Sequence, residues 1–216
     1  MGKVRFKYSK TGKSKYISHL DLRATMQRAF LRAGVNLKYS EGFNPHPYMS
    51  VALPLSVGIE SLCELIDVGI ADDRIPDISS IKFPDGISLL EAYIPERKFA
   101  DITWIEINGN IHYEKGKNDD RINRLIKRFS EASIIISKRT KRGFKDLDIK
   151  PHIKDVHFID GCIGTEKSID LTAKISAQNP TLNTDDLINV LGDELKPDFA
   201  DMKRVAIYDS NMILFR

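Results

Sequence analysis

The sequence predicts an α+β protein of two tandem ferredoxin-like βαββαβ domains, and three observations lead there. The chain has 216 residues, room for two small domains of about 100 residues each. Hydrophobic residues make up 42% of it, enough for ordinary cores and too many for a disordered chain. Strand-like and helix-like periodicities then alternate twice in one order: strand, helix, strand, strand, helix, strand.

The first series opens at residues 3–8, where Lys3, Arg5 and Lys7 alternate with Val4, Phe6 and Tyr8. That is a half-buried strand with one basic face. Ser9–Lys15 is a loop. Ser18 reads as an N-cap with Asp21 three residues on. Leu22, Met26, Ala29, Phe30 and Ala33 recur at helical spacing up to Gly34, which predicts a helix over 19–33. Strands are expected at 35–40, 48–53 and 63–70, a short helix limited by Pro76 at 72–82, and a strand at 87–94. Residues 95–100 read as a linker, so the domains are expected at 1–97 and 101–216.

The second series runs through a strand at 102–107, a helix at 119–132 and a β-branched strand at 133–137. Further strands are expected at 149–159 and 169–177. A helix capped by Thr184 and ended by Pro197 follows, and 204–215 closes as a strand or hairpin. A long basic insertion separates the middle strands. The repeat rests on element order, since no identity between the halves is visible.

Several function classes are excluded. Cys63 and Cys162 are far apart, whereas zinc and iron–sulfur sites need closer thiolates. Two reduced thiols in a cytoplasmic protein are expected. No apolar run reaches the roughly 20 residues of a membrane span, and the basic N-terminus lacks the apolar stretch of a signal peptide. The phosphate loops, dinucleotide fingerprints and HExxH motifs are absent. No cofactor, metal site or catalytic residue is assigned.

Charge is uneven. Residues 1–40 hold ten Lys or Arg against one acid, Asp21, and Lys138–Lys145 adds five cations. Such clustering makes a local positive field that suits RNA or another polyanion, though a solvated surface gives the same pattern. Three segments are candidate binding elements. The first is Tyr16, Ser18, His19 and Arg23, with Arg28 further along; His19 and Arg23 share a helix face at an N-terminus that favours anions. The second is Gly42-Phe43-Asn44-Pro45-His46-Pro47, where two prolines fix a loop displaying an aromatic ring, an amide and an imidazole for base stacking and edge hydrogen bonds. The third is Lys138, Arg139, Lys141 and Arg142, a basic hairpin tip that could clamp a nucleic-acid backbone. The expected site is a cleft between the two expected domains, lined by the His19–Arg23 helix start and the Phe43–His46 loop, with the Lys138–Lys145 hairpin of the second domain as a flap. Capping, a structural corner and a plain exposed loop are the respective alternatives.

The runs RFKYSKTGKSKYISHLDLRATMQRAFLRAG and YSEGFNPHPYMSVALPLSVGIES resemble the radical SAM-linked proteins, a bacterial domain of unknown function. The resemblance is tight over residues 4–70 and rests on SHLDL and GFNPHP at the expected separation. It implies a radical SAM protein as partner, and not radical SAM chemistry in this chain, which lacks the cluster motif Cys-x-x-x-Cys-x-x-Cys. It carries over no catalytic residue. The expectation is a non-catalytic substrate- or RNA-binding accessory module, with RNA or a ribosomal component as its client. The alternative is an endoribonuclease using His19 or His46 as general acid–base. CRISPR repeat-processing proteins share the architecture, yet residues 192–216 hold a single glycine, Gly192, and no glycine-rich loop.

Overall fold

The computed structural model describes residues 2–72, 74–114, 120–140, 143–163 and 166–216. The chain is mixed α+β and divides into two compact units, one ending at Asp101 and including Arg216, the other Ile102–Phe215. Among the described residues no helix is long and apolar enough to cross a membrane.

In the first unit, strand β1 (Gly2–Lys10) leads to helix α1 (His19–Arg32), then β2 (Met49–Val51), β3 (Glu60–Ile70) and β4 (Ile87–Tyr93). Strand order is β4-β1-β3-β2, and these pairings are antiparallel. Val4, Phe6 and Tyr8 are buried on one face of β1, and Leu22, Met26, Ala29 and Phe30 of α1 belong to the same core. The Phe6 and Phe30 ring centroids are 4.8 Å apart. Ser18 caps α1 by accepting the Asp21 N–H at 3.1 Å. At the other end Val35 N–H donates to Phe30 O and Gly34 N–H to Leu31 O, each at 3.0 Å, with Gly34 at φ +73°. That is a Schellman stop, which needs the left-handed region glycine enters without strain.

The opposite face of β1 departs from the expected exposed basic stripe. Arg5 is 1% exposed. Its Nε donates to Asp67 Oδ1 at 2.7 Å and its Nη2 to Asp67 Oδ2 at 3.1 Å. Nη2 also reaches the Arg97 carbonyl at 3.0 Å, and the guanidinium lies 4.2 Å from the Phe99 ring centroid. Register explains the pair, since Arg5 stands directly opposite Asp67 on β3. The segment after β4 lies over this cation and hides it from water. Lys7 pairs with Glu91 at 3.1 Å. Buried Lys10 donates to the Lys15 and Ile17 carbonyls, and burial pulls its ammonium below the usual value against the opposing pull of Glu64.

Two expected elements of this unit are absent. Residues 35–40 form no strand, only single bridges, Leu37 to Ile70 and Tyr39 to Pro47; a proline opposite Tyr39 has no N–H to extend a ladder. The described part of 72–82 is no helix beyond one 3-10 turn, Ile78–Ser80. There Asp77 accepts from Ser79 N–H at 2.9 Å and Ser79 Oγ at 2.8 Å, a local turn that competes with a helix. The unit therefore has one α-helix among its described residues, where two were expected.

In the second unit, β5 (Trp104–His112) precedes α2 (Arg121–Phe129), a two-stranded hairpin of β6 (Ile135–Thr140) and β7 (Gly143–Asp148), β8 (Ile153–Ile163) and β9 (Glu166–Ser176). Helices α3 (Thr184–Asn189) and α4 (Gly192–Leu195) and strand β10 (Phe199–Tyr208) follow. Strand order is β10-β5-β9-β8, with β6–β7 apart from it. Phe129 of α2 meets Phe158 of β8 with centroids 5.5 Å apart. Asn183, not Thr184, caps α3: Asn183 Oδ1 accepts the Asp186 N–H and Asp186 Oδ2 accepts the Asn183 N–H, both at 2.9 Å. Asparagine one residue earlier with an acid at the third helical position outcompetes threonine. Asp148 ends β7 by accepting the Ile134 N–H at 2.9 Å, the Lys150 N–H at 3.0 Å and the Ser133 hydroxyl at 2.9 Å.

Removing one partner of a buried ion pair strands the other charge, at a cost of about 3–5 kcal/mol. Asp67→Ala is therefore expected to destabilise the protein on that scale in urea unfolding. Arg5→Met combined with Asp67→Leu should be markedly less damaging than Asp67→Ala alone. The two backbone N–H bonds, from Ile134 and then Lys150, hold the Asp148 carboxyl below the usual carboxylate range. Its contribution is present above the ordinary aspartate pKa and is lost as pH falls through the lower folded value. The acid limb of a stability–pH curve should be shallower for Asp148→Asn than for the wild type.

Candidate functional site

Around residues 39–48 the local chemistry builds a closed loop. Ser40 N–H donates to the His46 carbonyl at 2.8 Å, and His46 N–H donates to Ser40 Oγ at 3.0 Å. Gly42 sits at φ +117°, a conformation side chains disfavour; nothing lies within 4 Å of where a Cβ would stand, so conformation and not space calls for glycine. Pro45 and Pro47 restrict the return limb. The loop carries Phe43 into full solvent exposure, at 113% of the reference area. Asn44 and His46 are exposed beside it, and Tyr39 and Tyr48 at its base are 40% and 49% exposed. Those two tyrosines were not singled out from sequence, although aromatics bracketing a Gly/Pro loop are a readable signal.

The helix start is a second element. His19 is the first residue of α1 and half-buried. Ser18 is already engaged, since its hydroxyl also donates to Asp21 Oδ2 at 2.7 Å. The carboxylate in the first turn satisfies part of the anion preference of that terminus. Arg23 Nη2 reaches the Met49 carbonyl at 3.5 Å, which ties the helix to the strand leaving the loop. Arg28 and Tyr16 are exposed, with Lys15 Nζ 5.6 Å from the Tyr16 ring centroid.

The basic hairpin is the β6–β7 pair. Lys138 donates to the Thr181 carbonyl at 2.6 Å and to Asp186 Oδ2 at 2.7 Å, so its charge is spent on the α3 cap. Phe144 is 75% exposed and Lys145 is exposed. Lys141, Arg142 and the Arg139 side chain lie outside the described residues. No cluster of three or more His, Cys, Asp or Glu that could hold a metal occurs among the described residues. Cys63 is buried, with its sulfur 3.8 Å from the Ser61 hydroxyl.

The arrangement can stack a flat ring on Phe43 and offer an amide and an imidazole beside it. Several of the N-terminal cations that composition counted are committed to internal bonds. If the Ser40–His46 tie holds the loop, Ser40→Ala should speed amide hydrogen exchange at His46 and cost about 0.5–1.5 kcal/mol locally, with exchange in β3 unchanged.

A model of a family described as an uncharacterized protein conserved in bacteria matches residues 3–184. No curated protein matches the chain.

Proposed function

The chain belongs to DUF2344, the bacterial family whose model covers most of its length, and we propose that it is a non-catalytic accessory module that binds single-stranded RNA through the Phe43 loop. One observation carries the reading: a phenylalanine wholly in solvent on a loop tied across its base. An exposed aromatic on an ordered loop contributes nothing to the core and is prepared to stack on a base, with little entropy left to lose. Asn44 and His46 supply edge contacts. The resemblance to radical SAM-linked proteins supports a radical SAM protein as the partner that such a module serves. The matching strand orders of the two units support reading both as ferredoxin-like, with the second helix of the first reduced to a 3-10 turn.

A second reading has its own support. Arg5, Lys7, Lys10 and Lys138 are engaged inside the protein, which leaves less charge for a nucleic-acid backbone and favours the same aromatic loop docking on the partner protein. The endoribonuclease alternative places general acid–base chemistry on His19 or His46.

Fluorescence anisotropy with a single-stranded RNA oligonucleotide separates these readings. The expected result is saturable binding with a shallow salt dependence, each phosphate contact adding about 0.7 to the log–log slope. Phe43→Ala should lose about 1–3 kcal/mol. RNA recovered after incubation should be intact. Binding indifferent to Phe43→Ala overturns the proposal. Cleavage that disappears in the His19→Ala, His46→Ala double variant establishes the enzyme instead. Absence of RNA binding, with loop-dependent capture of the radical SAM protein, establishes the docking surface.

A further inference from the structure

On the face of the first sheet that carries Arg5, a cleft of about 360 Å³ opens over the end of β3. Gly69 is its floor. It stands opposite Lys3 on β1; its N–H donates to the Tyr48 carbonyl at 2.7 Å, and its carbonyl accepts the Lys38 N–H at 2.9 Å. Lys3, Tyr48 and Lys38 therefore flank one glycine in a row. Gly69 is in ordinary strand conformation and is absent from the positive-φ glycines, so the backbone does not call for glycine. Space does: a Cβ there would stand 3.0 Å from Tyr48 Cβ and 3.4 Å from Lys38 Cβ. A glycine inside a strand weakens it unless something must approach the backbone closely.

The electrostatics of the cleft are one-sided. Its only lining acid among the described residues, Asp67, is neutralised by the bidentate Arg5. The Lys3 ammonium is 3.7 Å from Asp67 and 62% exposed, and Lys38 has no described ion pair among the described residues. Net positive charge faces the opening, while the lining, which includes Tyr48 and Met49, is chiefly apolar. A flat backbone floor, an aromatic wall and ammonium groups at the rim complement a planar apolar body ending in an anion.

We infer that this cleft is a binding site for a small planar anion, a ring bearing a carboxylate or a phosphate, with the ring laid over Gly69 against Tyr48 and the anion between Lys3 and Lys38. The site shares Lys38 and Tyr48 with the base of the Phe43 loop, but it uses neither Phe43 nor RNA binding. It requires no chemistry, only capture, and it would give the module a small-molecule ligand of its own.

The test is an amide NMR titration of the full chain with three probes: benzoate, phenyl phosphate and uncharged benzyl alcohol. Saturable shifts centred on Lys3, Lys38, Tyr48 and Gly69 are expected with one or both anions, and the tighter one identifies the anionic group. Lys38→Met keeps the stem and removes the charge, and it should weaken binding about ten-fold or more, the scale of a lost charge-assisted hydrogen bond. Lys13→Met, at an exposed position of the Gly12–Tyr16 turn, should leave binding unchanged. Gly69→Val should abolish binding by filling the floor; if it fails to fold, Lys38→Met still decides. The inference is overturned if neither anion saturates, if benzyl alcohol binds as tightly, if the shifts centre elsewhere, or if Lys38→Met binds like the wild type.

Discussion

The Arg5–Asp67 pair is the constraint on which the first unit depends. A guanidinium 1% exposed is tolerable only with its charge met and its N–H groups bonded. Asp67 meets the charge from the neighbouring strand, and the Arg97 carbonyl and Phe99 ring close over it. One side chain thus fixes three things: the register of β1 on β3, the course of the chain after β4, and the polarity of a sheet face. A slip of one residue would turn Arg5 into the apolar core beneath α1 and leave Asp67 unpaired. Tyr93 stands opposite Arg5 on the other side, and burial pushes its hydroxyl up against the pull of that cation.

The same pair shapes what this face can bind. By neutralising Asp67, Arg5 leaves the nearby lysines as the effective charge of the cleft over Gly69. A buried structural cation acts here on ligand preference without touching a ligand. The loop that carries Phe43 begins and ends on the same row, since Lys38 and Tyr48 both bond to the backbone around Gly69. The knot that replaces the expected strand at 35–40 therefore both roots the loop and frames the cleft.

Charge counting is where composition and structure diverge most. Ten cations in the first forty residues describe a polyanion-binding surface only if they stay in water. Arg5 and Lys10 are buried, Lys7 is held by Glu91, and Arg23 and Arg32 donate to backbone carbonyls. Lys138 follows the same pattern in the second unit, where it braces the α3 capping box. Cations used this way act on register and packing, and the long-range field that steers nucleic acid weakens accordingly.

By itself the sequence determined what depends on neighbours along the chain. The strand 3–8 follows from alternation. Helix α1 follows from Ser18, its apolar stripe and Gly34, and the exposed loop from Gly42, Pro45 and Pro47, because caps, periodicities and proline geometry act over a few residues. Only the tertiary structure decided what depends on distant partners. Arg5 is buried because Asp67 arrives sixty-two positions later. The helix expected at 72–82 gives way to a turn of its own, and Gly69 becomes a floor because Lys38 and Tyr48 cross beside it. An alternating Lys-Val-Arg-Phe-Lys-Tyr strand reads the same whether its basic face meets water or a carboxylate, since charge and period are local properties and burial is not.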